Sequence, residues 1–201
     1  VESRNLSHNT INKHKQKNTH FPNKKYKIIY ADPPWDYYSA WKRKNSDSAG
    51  IWGLAQDHYN TMPLNEIKEL AVKNICDDDC FLFLWATFPQ IQSALDVIKA
   101  WGFEYKTAAF VWVKKNKSGK NFMGMGWYTR ANAEICLIGK RGSPKIMNHG
   151  IKQTIESTLR EHSKKPDEVR KRIVQLCGDV PRIELFARER TAGWDAWGNE
   201  V

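Results

Sequence analysis

Lys27-Ile28-Ile29-Tyr30-Ala31-Asp32-Pro33-Pro34-Trp35 is the stretch that decides the fold. Its first five residues are a short, β-favouring run that stops against two prolines, so they read as a buried strand ending in a rigid turn. Similar runs recur at Phe81–Trp85, Thr107–Val113, Glu134–Ile138 and Arg182–Ala187. Helical spacing lies between them. Leu64, Ile67, Leu70, Ala71 and Ile75 share one face behind Pro63, and Ile91, Leu95 and Ile98 share another that stops near Gly102. Pro166 with Asp167 and Glu168 opens a third helix, which Val169, Ile173 and Leu176 carry to Gly178. Strands alternating with amphipathic helices predict an α/β domain, with a mostly parallel sheet and helices on both faces. In such sheets ligands sit beyond the carboxyl ends of the strands. Asp32 follows the first strand and Arg188 the last, so both are expected to face one crevice.

The chain has 201 residues, 41% of them hydrophobic and 27% charged, which is globular composition for one domain. Residues 26–201 are read as that domain. Residues 1–25 are polar and basic, and read as a flexible arm, or the edge of an expressed segment, rather than as core. No apolar stretch is long enough to span a bilayer and the first residues carry no signal-like apolar region, so a cytoplasmic protein is expected, or a nuclear one in a eukaryote. The four cysteines show no paired spacing for a metal, and none is expected. The formal charge of +10 fits a nucleic-acid or nucleotide partner.

The Asp32 turn has a definite chemical use. Proline supplies no N–H, so the turn offers carbonyl oxygens beside a carboxylate, with the indole of Trp35 adjacent. An exocyclic aromatic amine matches that cluster, because both of its N–H bonds can be accepted there. Accepting them turns the nitrogen lone pair toward an electrophile, and acceptors fixed in advance favour the positive charge that develops on nitrogen.

Further stretches extend this pattern: Cys80-Phe81-Leu82-Phe83-Leu84-Trp85-Ala86-Thr87, Phe110-Val111-Trp112-Val113-Lys114, Glu134-Ile135-Cys136-Leu137-Ile138-Gly139, Lys165-Pro166-Asp167-Glu168, and Ile183-Glu184-Leu185-Phe186-Ala187-Arg188 to Trp197-Gly198-Asn199-Glu200. In this order they resemble the adenine-N6 methyltransferases that include the eukaryotic mRNA adenine methylases and many short phage and bacterial DNA enzymes. The resemblance implies a Rossmann-like class I methyltransferase fold in permuted order, catalytic motif before cofactor strand, with S-adenosylmethionine as methyl donor. It implies that Asp32, Pro33, Pro34 and Trp35 form the catalytic signature. Trp85 and Trp112 would line the base pocket, Glu134 would be its carboxylate, and Tyr59 would belong to its first loop. Asp32, Leu185, Phe186, Arg188, Asn199 and Glu200 would surround the cofactor. Two positions depart from the mRNA branch. Ala133 stands where those enzymes carry a lysine, with Arg130 nearby, and Arg190 stands where they carry a histidine.

The partner implied is nucleic acid, DNA in preference to RNA, with a homo- or heterodimer open. A catalytically silent partner subunit is the alternative, and the intact Asp32-Pro33-Pro34-Trp35 argues against it. The segments 36–60 (Tyr37, Tyr38, Trp41, Lys42, Arg43, Lys44, Trp52) and 114–133 (Lys114, Lys115, Lys117, Lys120, Arg130) mix rings with cations, as stacking plus phosphate contact requires. Both are expected to be poorly ordered without ligand.

Overall fold

In the computed structural model the described residues are 20–36, 61–124, 128–160 and 164–201. Seven strands form one sheet: β1 (Tyr26–Ala31), β2 (Cys76–Ala86), β3 (Glu104–Lys115), β4 (Ala133–Arg141), β5 (Thr154–Thr158), β6 (Arg182–Leu185) and β7 (Asp195–Trp197). Among the described residues three α-helices accompany them: α1 (Leu64–Glu69), α2 (Ile91–Ala100) and α3 (Asp167–Cys177). The spatial order is β5-β3-β4-β2-β1-β6-β7. Only β4 runs against its neighbours β2 and β3; every other pairing is parallel.

The core lies in two layers, one on each face. Alternate residues of β1 explain it: Ile29 and Ala31 pack with Ile67 of α1 and Ala94, Val97 and Ile98 of α2. Ile28 and Tyr30 face the other way, toward Val169, Ile173 and Cys177 of α3. A central strand buried on both sides has no solvent face, so β2 is apolar throughout Cys80–Ala86 instead of alternating.

The helix expected from Leu64 to Ile75 divides. It ends at Glu69, and a 3-10 turn covers Val72–Ile75. A continuing helix would give the Ile67 carbonyl to the Ala71 N–H. That carbonyl instead accepts the Leu70 N–H at 3.4 Å and the indole N–H of Trp101 at 2.8 Å. α2 ends as expected at Gly102, whose φ of 82° suits glycine. There the Gly102 N–H donates to Lys99 and the Phe103 N–H to Ile98, closing the helix end.

Two strands were not foreseen. β5 reads Thr-Ile-Glu-Ser-Thr and lies on the sheet edge, and β7 has three residues on the opposite edge. Residues just before β1 pack on β7: the Phe21 ring lies 4.6 Å from Trp197, and Lys24 pairs with Asp195 at 2.7 Å. Residues 1–19 of the expected arm lie outside the described residues.

Candidate active site

The turn after β1 and the turn after β6 open into one cavity of about 320 Å³. Asp32, Pro33, Pro34, Trp35, Glu134, Phe186, Arg188, Asn199 and Glu200 all line it. The expected convergence of Asp32 and Arg188 is therefore present, and β1 and β6 being neighbours is its cause. Leu185 is fully buried one residue below the wall. Arg130 is exposed and is not in the wall, and Tyr59 lies outside the described residues, as do Tyr37, Tyr38, Trp41, Lys42, Arg43, Lys44 and Trp52.

The proline turn is more tightly held than expected. The Pro33 carbonyl accepts the Trp35 N–H at 2.9 Å, and the Pro34 carbonyl accepts the Met62 N–H at 2.8 Å. Each carbonyl thus already has one backbone donor, and Asp32 is the acceptor that the turn presents most distinctly. Trp35 is 5% exposed and donates its indole N–H to the Trp85 carbonyl at 3.1 Å, which locks the turn onto β2. Met62 also bridges Trp35 beside the cavity.

Lys165, to which the sequence pattern assigns no role, joins the site. Its ammonium group lies 2.8 Å from Asp32 Oδ2 and 3.2 Å from Glu134 Oε2. Lys114 reaches the other oxygen of Glu134 at 2.5 Å. Asp32, Lys165, Glu134 and Lys114 form a row of alternating charge, whose first three members lie on the cavity floor. Trp85 and Trp112 lie beneath it. Both are essentially buried, neither is in the cavity wall, and their rings meet edge to face at 6.5 Å. The Lys165 ammonium sits 5.4 Å from the Trp85 ring and that of Lys114 sits 5.1 Å from the Trp112 ring. Each ring thus lies against one of the ammonium groups of the row.

The two carboxylates are driven apart. Burial pushes the Asp32 carboxyl above its ordinary range, aided by Glu134 and opposed by Lys165. Burial also pushes Glu134 up, but Lys165 and Lys114 outweigh it and hold this carboxyl below its usual value. Lys165 is raised, because Asp32 and Glu134 overcome the effect of burial. The surroundings therefore disfavour the ionised form of Asp32 and favour that of Glu134.

The loop carrying Lys165 is anchored from behind. Arg160 donates to the Lys165 carbonyl at 2.7 Å and pairs with Asp167 at 2.6 Å. Arg170 bonds Asp167 too and makes two bonds to Glu184, at 2.9 and 3.2 Å.

The opposite wall is built by close backbone approach. Phe186 has φ 60°, a left-handed conformation uncommon for a bulky residue, and its ring lies 5.6 Å from that of Trp197. The Ala187 N–H donates to the Trp197 carbonyl at 3.0 Å. A Cβ at Gly198 would lie 2.4 Å from the Ala187 carbonyl oxygen, so only glycine fits. Arg188 and Glu200 approach to 3.9 Å along this wall. Among the described residues, no group of three His, Cys, Asp or Glu side chains could hold a metal ion, and no helix is long and apolar enough to cross a membrane.

This arrangement coincides with a known family, whose MT-A70 model matches residues 26–200. The chain belongs to the MT-A70 family. Its members are adenine-N6 methyltransferases, and the chain is one of these enzymes. It is similar to the type II methyltransferase M.MunI of Mycoplasma sp, with 34% identity across the whole chain and 93% of that protein. It is 30% identical to the Drosophila melanogaster N(6)-adenosine-methyltransferase MT-A70-like protein over 88% of the chain, and 28% identical to the human N(6)-adenosine-methyltransferase catalytic subunit METTL3 over the same share. The alignments cover only 27% and 28% of those two longer proteins.

Proposed function

We propose that the chain transfers a methyl group from S-adenosylmethionine to the N6 amine of adenine in DNA, within a Rossmann-like class I methyltransferase fold of permuted order. The observation that carries this reading is Asp32, held by Lys165 on the floor of a cavity whose other wall is Phe186, Arg188 and Asn199. The full-length likeness to a type II methyltransferase supports DNA as the polymer and an activity inside the cell.

The wall after β6 has the chemistry that S-adenosylmethionine requires. Arg188 suits its carboxylate, Asn199 and Glu200 suit its hydroxyl and ammonium groups, and the Phe186 and Trp197 rings suit a flat heterocycle. When bound, this cofactor supplies an electrophilic methyl carried on sulfur. Everything else falls to the protein. Lys165 engages Oδ2 of Asp32 and fixes the carboxylate, leaving Oδ1 lone pairs for an amine N–H. With its hydrogen accepted there, the amine nitrogen directs its lone pair along the line of attack. The raised affinity of Asp32 for a proton suits it to take the one that the methylated amine must release. Glu134, kept ionised by two lysines, holds Lys165 between the acids.

A base inside a duplex cannot reach such a floor, so duplex substrates require the adenine to be flipped out. The decisive experiment is transfer of labelled methyl from S-adenosylmethionine to matched DNA and RNA oligonucleotides, single- and double-stranded. DNA labelled at adenine N6 is the expected product. Preference for RNA, or label elsewhere than N6, contradicts the proposal.

A further inference from the structure

Residues 116–133, between β3 and β4, contain Lys117, Lys120 and Arg130 and no aspartate or glutamate. Against the expectation of a poorly ordered loop, the first half is folded. The chain reverses through the Asn116 N–H bonded to the Lys120 carbonyl, the Gly119 N–H bonded to the Asn116 carbonyl and the Phe122 N–H bonded to the Lys114 carbonyl, each at 2.9 Å. Asn116 Oδ1 accepts both the N–H and the hydroxyl of Ser118, and Lys115 donates to Asn121 Oδ1 at 2.8 Å. Gly119, at φ 80°, supplies the left-handed residue that closes the turn. These local bonds explain the order: the turn is fixed by Asn, Ser and Gly in sequence, without help from the core.

The tip stands clear of the body. Lys117, Ser118, Lys120 and Asn121 are exposed, and a Cβ at Gly119 would meet nothing within 4 Å. Its stem is nevertheless part of the site, because Lys114 holds Glu134 on the cavity floor. A rigid tip carrying cations, amides and a hydroxyl, free of carboxylates and set a few residues from the target pocket, matches a polyanion with readable edges.

We infer that the 116–121 turn is a groove reader for duplex DNA beside the target adenine, an inference that rests on the DNA reading above. Lys117 and Lys120 contact phosphates, and Ser118 and Asn121 present hydrogen-bonding groups to base edges. The major groove of B-DNA admits a two-stranded β-ribbon, whereas the deep, narrow major groove of A-form RNA does not. A turn folded before it binds also avoids the ordering cost that a mobile loop would incur.

The test uses the full chain, with K117A/K120A and N121A as variants, and fluorescein-labelled duplex DNA measured by anisotropy across a salt series. Each lost phosphate contact lowers the slope of log affinity against log salt by about 0.9, so K117A/K120A is expected to flatten it by about 2. Cofactor affinity by calorimetry should not change. N121A is expected to keep the slope and to broaden the flanking sequences methylated in a randomised duplex library. Equal slopes in wild type and K117A/K120A overturn the inference. So does a loss of self-association by light scattering without a change in DNA affinity, which would make the turn a contact between copies. A wild type that binds duplex DNA with the larger slope but transfers no methyl overturns the activity reading while supporting the groove contact.

Discussion

Two cavities of similar size open at opposite ends of the sheet, about 320 Å³ at the carboxyl ends and about 370 Å³ at the amino ends. The second is lined by residues such as Lys27, Asp79, Ser143, Lys145 and Cys177. Its carboxylate Asp79 simply accepts the Ser143 N–H at 2.7 Å and ties β2 to the chain leaving β4. At the carboxyl ends two acids share one partly buried lysine, a positive-φ phenylalanine forms the wall, and a glycine lets two backbones touch. Volume is the same to within a water or two. Charge fixed before the ligand arrives, on backbone that cannot relax, is what separates a catalytic cavity from a gap between elements.

The largest effect is expected at Asp32. Asp32→Ala should lower the rate of methyl transfer by about 10²–10³-fold, the usual loss when a fixed group facing developing charge is removed. Stability should move the other way. Because folding raises the Asp32 pKa, the folded state binds that proton more tightly than the unfolded state. Stability therefore falls as pH rises from the unfolded pKa through the folded one, and ionised Asp32 costs stability at neutral pH. Asp32→Asn is expected to melt no lower than wild type at pH 7 while remaining inactive. A variant that is both stable and active would remove Asp32 from the mechanism.

Lys165→Met tests the shared cation. It leaves Asp32 and Glu134 facing each other without their common partner, at a cost of about 3 kcal/mol in stability. Lys165 lowers the Asp32 pKa, so its removal should raise it further. The acid limb of the pH–rate profile, where ionised Asp32 is lost, is then expected at higher pH than in wild type. An unmoved limb would mean that Asp32 does not govern it.

The opposite wall should respond less. Gly198→Ala forces a Cβ against the Ala187 backbone, and an over-packed contact of this kind costs about 1–3 kcal/mol. Since Phe186 and Arg188 flank Ala187, S-adenosylmethionine affinity should fall together with melting temperature. Arg188→Ala should weaken cofactor binding by about tenfold without that loss of stability, as for one charge-assisted hydrogen bond. Calorimetry on both variants separates wall shape from wall charge.

The same contrast explains what was legible in the sequence. The strand-then-proline turn is local, so Lys27–Trp35 announces it, and strands alternating with amphipathic helices predict cores on both faces. Periodicity places Trp85 and Trp112 on buried strands but cannot tell a ring in the cavity wall from one packed behind it, and both are buried behind it. β5 and β7 are too polar or too short to carry a strand signal, and only their neighbours define them. Lys165 did leave a trace. It stands just ahead of α3, where a helix dipole disfavours a cation. A lysine kept there despite the dipole needs a nearby acid, and Asp32, 133 positions earlier in the chain, supplies it.

The smallest effect is expected at the far cavity. Asp79→Ala removes the acceptor for the Ser143 N–H and should lower stability by about 1 kcal/mol, the worth of one hydrogen bond. That bond is linked to the Asp32 row along β2 and along β4, and the pairing of β2 with β1 from Phe81 to Leu84 and with β4 from Cys80 to Ala86 does not involve it. Methyl transfer below the melting range should therefore match wild type, and so should cofactor affinity. A large loss of activity in Asp79→Ala would show that strain at the amino ends of the strands reaches the carboxyl ends. The two cavities would then have to be treated as one coupled system.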